Sequence, residues 1–172
     1  MNDFIAKRIK RCYVQHLQAL PDKIFPLLCP VREYEWIEPW RCEMLFSDSG
    51  VAEKNCIFRA RIPGESLDDV WVISHHEPNK RIEFVRVNAL RVICYSICLE
   101  DNLDGTTTAT NEQILTALNE EGTRLLNGLT YDGFQFEMRI GEAMLNHYLT
   151  TGKRLPLKEA VVRAGDMATR RE

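Results

Sequence analysis

The strongest constraint on the fold is a succession of strand-like segments between residues 41 and 118, separated by turns too short to hold a helix. Apolar and polar residues alternate in them, the period of two typical of strands with one buried face. Asp48-Ser49-Gly50, Pro63-Gly64 and Glu77-Pro78-Asn79-Lys80 are turn sequences. Connections of this length join neighbouring strands in opposite directions. The pattern therefore predicts one antiparallel sheet.

Seven strands are predicted in all, the first of them before a short helical region. Pro21 suits the first turn of a helix, and Pro30 ends that helix. A second short helical turn is expected between residues 29 and 40, with Glu33, Glu35 and Glu38 facing water. The predicted strands span residues 7–19, 41–47, 51–62, 70–76, 81–88, 90–100 and 106–118.

The pattern changes to helical spacing from about residue 130 to residue 151. Phe134, Met138, Leu145 and Tyr148 fall on one stripe of a wide apolar band, which indicates a helix buried along much of its length. Gly152 is a natural C-cap. We expect residues 1–152 to form a single domain and residues 153–172 to be a weakly helical or frayed tail.

This order of elements predicts an α+β fold. A seven-stranded curved antiparallel sheet wraps around the long C-terminal helix, and two short helices follow strand 1. Such a curved sheet leaves space between its concave face and the helix, which is a natural apolar pocket.

Three local motifs, in this order, resemble the START-like helix-grip superfamily (SRPBCC), which includes polyketide cyclase/dehydrase-like proteins and pollen-allergen-like ligand carriers. They are the strand-to-helix junction at residues 17–25 (LQALPDKIF), residues 36–40 (WIEPW), and the hairpin at residues 71–84 (WVISHHEPNKRIEF). The resemblance covers about residues 5–152. It implies the helix-grip fold and a pocket for a hydrophobic or amphipathic small molecule, but no particular reaction.

Composition and motifs exclude several other functions. The net charge is −3, which does not suit a nucleic-acid binder. No apolar run is long enough to span a membrane, and no secretory signal is visible, so we expect a cytoplasmic protein. The six cysteines form no C-x-x-C pair, so we expect reduced thiols and no metal site. No nucleotide-binding fingerprint occurs, so no cofactor is expected.

The expected ligand-binding residues are mainly aromatic and lie on the strands, on the long helix and in residues 29–40. The segment 29–40 is predicted to span the open end of the sheet as a portal, with Trp36 and Trp40 closing the core beneath it. Whether Tyr34 and Trp36 gate a ligand or plug the pocket stays open. The predicted ligand contacts are Tyr34, Trp36, Trp40, Phe58, Trp71, Phe84, Tyr95, Phe134, Met138 and Leu145.

Catalytic residues are harder to assign. His75 and His76 are adjacent on a strand, so one faces inward, and the alternation does not decide which. An inward Glu112 could pair with Arg86 or Arg91 and act with Tyr95 in acid/base chemistry. An outward Glu112 would belong to the polar face of an exposed strand.

Three functions follow from these observations. The first is a non-enzymatic carrier or sensor of a hydrophobic small molecule. The second is a polyketide cyclase- or dehydratase-like enzyme that uses the same cavity. The third is a protein-interaction module, in which the sheet or the helix docks a partner chain or a second copy in a homodimer.

Overall fold

The structure, a computed structural model, describes residues 4–169. Its seven strands form one antiparallel sheet in the order β1-β7-β6-β5-β4-β3-β2. The strands are β1 (Arg8–Leu17), β2 (Cys42–Phe46), β3 (Ile57–Ala60), β4 (Asp69–Glu77), β5 (Arg81–Val87), β6 (Arg91–Asp101) and β7 (Thr107–Ala117).

Short helices follow β1, and three longer helices follow β7. Between β1 and β2 lie α1 (Pro21–Ile24) and two 3-10 turns, Phe25–Leu28 and Glu33–Glu35. After β7 come α2 (Glu120–Gly128), α3 (Tyr131–Thr151) and α4 (Leu157–Thr169). The main core lies between the sheet and α3, where Phe58, Trp71 and Phe84 share a cluster with Met144 and Leu145. The predicted α+β helix-grip architecture is confirmed.

Strand β3 is shorter than predicted because the chain before it folds into a hydrogen-bonded loop. The Glu53 carboxylate accepts the Ser47 hydroxyl and the backbone N–H groups of Asp48 and Ser49. Hydrogen bonds from Ser49 and Ser47 lower the pKa of Glu53 to about 2. This loop replaces the first residues of the strand predicted at 51–62, and pairing begins only at Ile57.

Helix α2 is an element for which the sequence analysis made no prediction. The Asn119 side chain caps its N-terminus by accepting the Gly122 N–H at 2.8 Å. Glycine is required at position 122, since a Cβ there would lie 2.0 Å from the carbonyl oxygen of Leu90. The helix thereby packs closely against the β5–β6 turn.

The structure shows a packed helix where residues 153–172 were expected to be a weakly helical or frayed tail. Residues 157–169 form α4, and Leu155, Ala160 and Ala164 are fully buried. Leu155 and Ala160 belong to the main core cluster. Small alanines four positions apart lie on one helical face and let α4 approach its neighbours closely. Residues 170–172 of the predicted tail lie outside the described part of the chain.

Helix α3 is held on the exposed edge of β1 by its polar side chains. The buried Glu142 carboxylate accepts the Tyr13 hydroxyl at 3.0 Å and the His16 N–H at 2.9 Å. One turn later, Asn146 accepts the Gln18 N–H at 2.8 Å and donates to the His16 carbonyl at 2.9 Å. These bonds fix the height of the helix above the sheet.

We predict that Glu142→Ala lowers the free energy of unfolding by about 3 kcal/mol, because two hydrogen bonds to a buried carboxylate are lost. Urea denaturation measures this change. Gln135→Ala, a less buried position on the same helix, is the control and should stay within about 0.5 kcal/mol of wild type. Equal effects of the two substitutions would contradict the assigned role of Glu142.

Candidate functional site

A cavity of about 160 Å³ lies between the concave face of the sheet and α3. Aromatic rings form much of its wall: Phe58 stacks on Trp71 with ring centroids 5.3 Å apart, and Phe84 meets both rings edge-on. Met138, Gly141 and Leu145 line it from α3. The cavity is therefore mainly apolar, and its shape depends on the position of the helix.

Eight of the ten predicted ligand-binding residues line this cavity. They are Trp36, Trp40, Phe58, Trp71, Phe84, Tyr95, Met138 and Leu145.

Tyr34 and Phe134 lie outside the cavity, contrary to the prediction. Tyr34 is 43% exposed, and its hydroxyl bonds both backbone polar groups of Cys42. Phe134 is buried in the first turn of α3, where its ring lies 4.3 Å beneath the guanidinium of Arg11. Its position on the apolar stripe of α3 is correct, but that stripe extends beyond the end of the cavity.

Trp36 and Trp40 form a packed wall, so of the two alternatives for this segment the structure favours a plug over a gate. Trp36 is 7% exposed and donates its indole N–H to the Leu27 carbonyl at 2.9 Å. Trp40 donates its indole N–H to the Pro30 carbonyl at 2.8 Å. A ring held by packing and by a hydrogen bond is not free to swing, so this segment closes its side of the cavity.

A chain of buried polar side chains crosses the cavity between β6, β7 and β1. Tyr95 donates its hydroxyl to Asn111 at 2.7 Å, and Asn111 donates to Gln15 at 3.1 Å. Gln15 in turn donates to the Met138 carbonyl of α3 at 3.1 Å. Burial raises the pKa of Tyr95, so its hydroxyl stays protonated. Alternation along β1 and β7 placed Gln15 and Asn111 inward, a signal that the sequence analysis did not use.

Glu33 is a functional candidate that the sequence analysis expected to face water. It lines the cavity, and burial raises its pKa to about 8. Within residues 4–169 no hydrogen bond or ion pair of its carboxyl is found. Glu33 is therefore mostly a neutral acid at pH 7. Its neighbour Glu35 instead forms an ion pair with Arg32.

The structure does not assemble the predicted histidine and Glu112 cluster. A β-bulge between Ile73 and His75 shifts the alternation, so His76 faces inward against Phe25 and His75 lies opposite Glu83. Neither histidine lines the cavity. Burial lowers the pKa of His76.

Glu112 faces away from the cavity. It pairs with Lys10 at 2.7 Å on the convex side of the sheet and is 35% exposed. The outward alternative of the sequence analysis is therefore the one observed, and Glu112 does not contact Tyr95.

Arg86 and Arg91 pair with residues other than Glu112. Both bind the buried Asp69 carboxylate, Arg86 through Nε at 2.8 Å and Arg91 through Nη1 at 3.2 Å. Both also bind Glu65, at 3.0 Å and 2.6 Å. The Arg86 guanidinium lies 4.3 Å above the Trp71 ring, whose side chain lines the cavity. The four charged groups therefore adjoin the cavity without lining it.

Within residues 4–169 we find neither a metal site nor a membrane-spanning helix. No group of three or more His, Cys, Asp or Glu side chains is arranged to hold a metal ion. No helix in that range has the length and apolarity needed to cross a membrane.

No protein-family model matches the sequence, and no curated protein matches it. Solved structures do match. DynU16, from the dynemicin biosynthetic locus, is 18% identical with a TM-score of 0.58, over 84% of this chain and 48% of that one. The chain thus spans about half the length of DynU16.

Two further solved structures are similar over nearly their whole length. A point mutant of norcoclaurine synthase from Thalictrum flavum, in complex with a transition-state analogue, is 11% identical with a TM-score of 0.60, covering 88% of this chain and 100% of that one. Mll3558 from Rhizobium loti is 13% identical with a TM-score of 0.55, covering 94% and 99%. The protein therefore has the START-like helix-grip fold that the motifs predicted.

We predict that Trp36→Ala lowers the free energy of unfolding by about 3–5 kcal/mol, because a buried, hydrogen-bonded ring is removed from a packed wall. Tyr34→Ala, which truncates an exposed ring in the same segment, should cost much less. Thermal and urea unfolding of the two variants provide the comparison. A small loss for Trp36→Ala would instead indicate a mobile gate.

Proposed function

We propose that the protein binds a hydrophobic or amphipathic small molecule in the cavity between the sheet and α3, as a carrier or sensor. The supporting observation is the preformed, aromatic-walled cavity with a few convergent polar groups, the usual composition of a small-molecule site. Another solved structure of norcoclaurine synthase, similar in fold, contains dopamine and hydroxybenzaldehyde.

The size of the cavity favours a ligand body of one ring. Its volume is about 160 Å³. An engineered apolar cavity of about 150 Å³ in another protein binds benzene. Drug-sized ligands usually occupy at least about 300 Å³. A single aromatic or alicyclic ring therefore fits between Phe58, Phe84 and Leu145 without rearrangement of the wall.

The polar groups favour an oxygen on that ligand. Glu33, protonated at neutral pH, is a hydrogen-bond donor in an apolar space. The Tyr95 hydroxyl has its proton committed to Asn111, so it offers only its lone pairs. A ligand carbonyl would accept from Glu33, and a ligand hydroxyl would donate to Tyr95.

We predict that the neutral probe hydrocinnamamide binds the wild-type protein and quenches tryptophan fluorescence, since all three tryptophans line the cavity. Gly141→Leu should abolish this binding and keep the fold. A Cβ at position 141 meets only Gln15, at 3.9 Å, and the added side chain would fill the cavity. Titration calorimetry confirms the affinity.

The control is Gly165→Leu, the same change at an exposed position of α4 with no atom within 4 Å of the new Cβ. It should bind the probe like wild type. The proposal fails if no titration of the wild type detects binding, or if the two leucine variants bind equally well.

A second candidate function, cyclase- or dehydratase-like acid catalysis, is favoured by Glu33 alone. A protonated carboxyl in a cavity can polarise a ketone, and a pKa near the working pH suits proton transfer. Glu33 and Tyr95 would be the catalytic residues. His75, His76 and Glu112 would take no part because they lie outside the cavity.

The protonation of Glu33 has a measurable consequence for stability. The folded pKa of about 8 lies above the ordinary carboxyl value of 4.5, so the folded state binds the extra proton between these pH values. The contribution of this protonated carboxyl to the free energy of unfolding is therefore lost as the pH rises. The free energy of unfolding falls by up to about 1.4 kcal/mol per pH unit. Glu33→Gln should remove this slope.

Urea denaturation at several values between about pH 5 and 8 tests the prediction. Glu35→Gln is the control, because Arg32 and Tyr148 lower the pKa of Glu35. That carboxylate is already ionised throughout the range, so its removal should leave the slope of wild type intact. If the free energy of unfolding changes with pH in parallel for wild type and Glu33→Gln, Glu33 is ionised in the folded protein.

A further inference from the structure

A second pocket, of about 280 Å³, opens at one end of the cavity. It lies between the loop 61–68, helix α2 and the start of β6, and we call it the mouth. Ile62 and Glu137 line both the mouth and the cavity, so the two spaces are neighbours. Leu125 of α2 and Leu129, the residue that follows this helix, give the mouth an apolar side. Arg11 and Arg91 give it a cationic side.

Two carboxylates bind the pair Arg86 and Arg91: Asp69 on a strand, and Glu65 on the loop that lines the mouth. Glu137 of α3 also lines the mouth. Asp69 belongs to β4, is 1% exposed and also accepts the Asn88 side-chain amide at 2.7 Å. Glu65 belongs to the loop, where Gly64 has a φ of +91°, and its side chain is 33% exposed. The Glu65 carboxylate sits between Arg86 and Arg91 but has no other recorded hydrogen bond within residues 4–169.

Without Glu65 the pair Arg86 and Arg91 keeps only one carboxylate partner, Asp69. Arg11 forms no ion pair within residues 4–169 and donates twice to the neutral amide oxygen of Gln113, while the charge of Glu137 acts on it. If the loop moves away, Arg86 and Arg91, each about 5% exposed, share Asp69 alone. A buried cation without its partner is strongly unfavourable. An open loop therefore requires another anion at the same position.

We infer that the ligand carries a carboxylate, which takes the place of Glu65 between Arg86 and Arg91 while the apolar ring occupies the cavity. The inference rests on the proposed function and names its ligand class. Two arginines present donors in the geometry that a carboxylate accepts. Arg86 also lies directly on Trp71, a wall residue, so the anion site and the ring site are one side chain apart. Glu65 is thus an internal surrogate for the ligand.

The test compares two probes with the same ring, hydrocinnamate and its neutral amide, by titration calorimetry against three proteins. In wild type the carboxylate must displace Glu65. Glu65→Gln removes the charge that competes with the ligand. The affinity of this variant for hydrocinnamate should rise about tenfold, because the state in which residue 65 occupies the arginine pair no longer dominates. Its affinity for the amide should stay within about twofold of wild type.

Asp68→Asn is the matched control: it removes one negative charge from the same loop, but Asp68 pairs with the exposed Arg61. It should bind both probes like wild type. If Asp68→Asn raises the affinity for hydrocinnamate as much as Glu65→Gln does, the effect is one of overall charge. That result would overturn the inference. An equal gain for both probes with Glu65→Gln would make the loop a lid without preference for anions, which also overturns it.

The two proposals fail in different ways. Binding of the amide without any gain for hydrocinnamate in Glu65→Gln overturns the carboxylate site and leaves the proposed function standing. Absence of binding by either probe to all three folded proteins overturns both. Circular dichroism and thermal unfolding establish that each variant is folded before titration.

Discussion

The hydrogen bonds between α3 and the edge of β1 are the constraint on which the rest of the structure depends. An edge strand presents unpaired N–H and C=O groups that must be covered. Here Glu142 and Asn146 bind those groups at His16 and Gln18, so the helix itself covers the edge. The same bonds set the distance between α3 and the sheet. Gly141, next to Glu142, then leaves space where any other side chain would fill the cavity.

The far end of the cavity is organised by charge instead of by backbone bonds. The Asp69 carboxylate of β4 binds Arg86 of β5 and Arg91 of β6, so it links three neighbouring strands. Arg86 also covers the Trp71 ring. Breaking such a buried pair is costly because the remaining charge lacks its partner. At this end of the sheet Asp69 is the buried partner of the arginines, 1% exposed, and Glu65, 33% exposed, is the accessible one. The cavity wall at Trp36 and Trp40 is closed by packing and hydrogen bonds, and the proposed anion site lies at the mouth.

Local signals were sufficient to predict most of the architecture. The period of two and the turn residues located all seven strands, and Gly152 marks the end of α3 as expected. The same alternation indicated most of the residues that form the cavity wall. Helix α2 was not predicted, and α4 was expected only as a weakly helical or frayed tail. Helix α2 depends on a close contact of Gly122 with Leu90, and α4 is stabilised by buried Ala160 and Ala164. Both depend on distant neighbours that no local pattern reveals.

What the sequence left open or missed at the site has equally physical causes. Alternation did not decide between His75 and His76, and the bulge between Ile73 and His75, which places His76 inward, has no local sequence signal. The partners of Arg86 lie on a loop and on another strand, so sequence spacing does not indicate them. Glu33 lies in a 3-10 turn among other glutamates, and only the folded chain shows that its carboxyl enters an apolar space.

The placement of donors and acceptors in the cavity limits which ligands suit it. The chain from Tyr95 through Asn111 to Gln15 uses its protons internally and ends on a backbone carbonyl of α3. Glu33, in contrast, brings a proton that no described residue accepts. A buried polar group without a partner is unfavourable, and a ligand oxygen would satisfy it. Under the proposed function, a ring that carries an oxygen toward Glu33 would gain a hydrogen bond that a hydrocarbon of the same size leaves unmade.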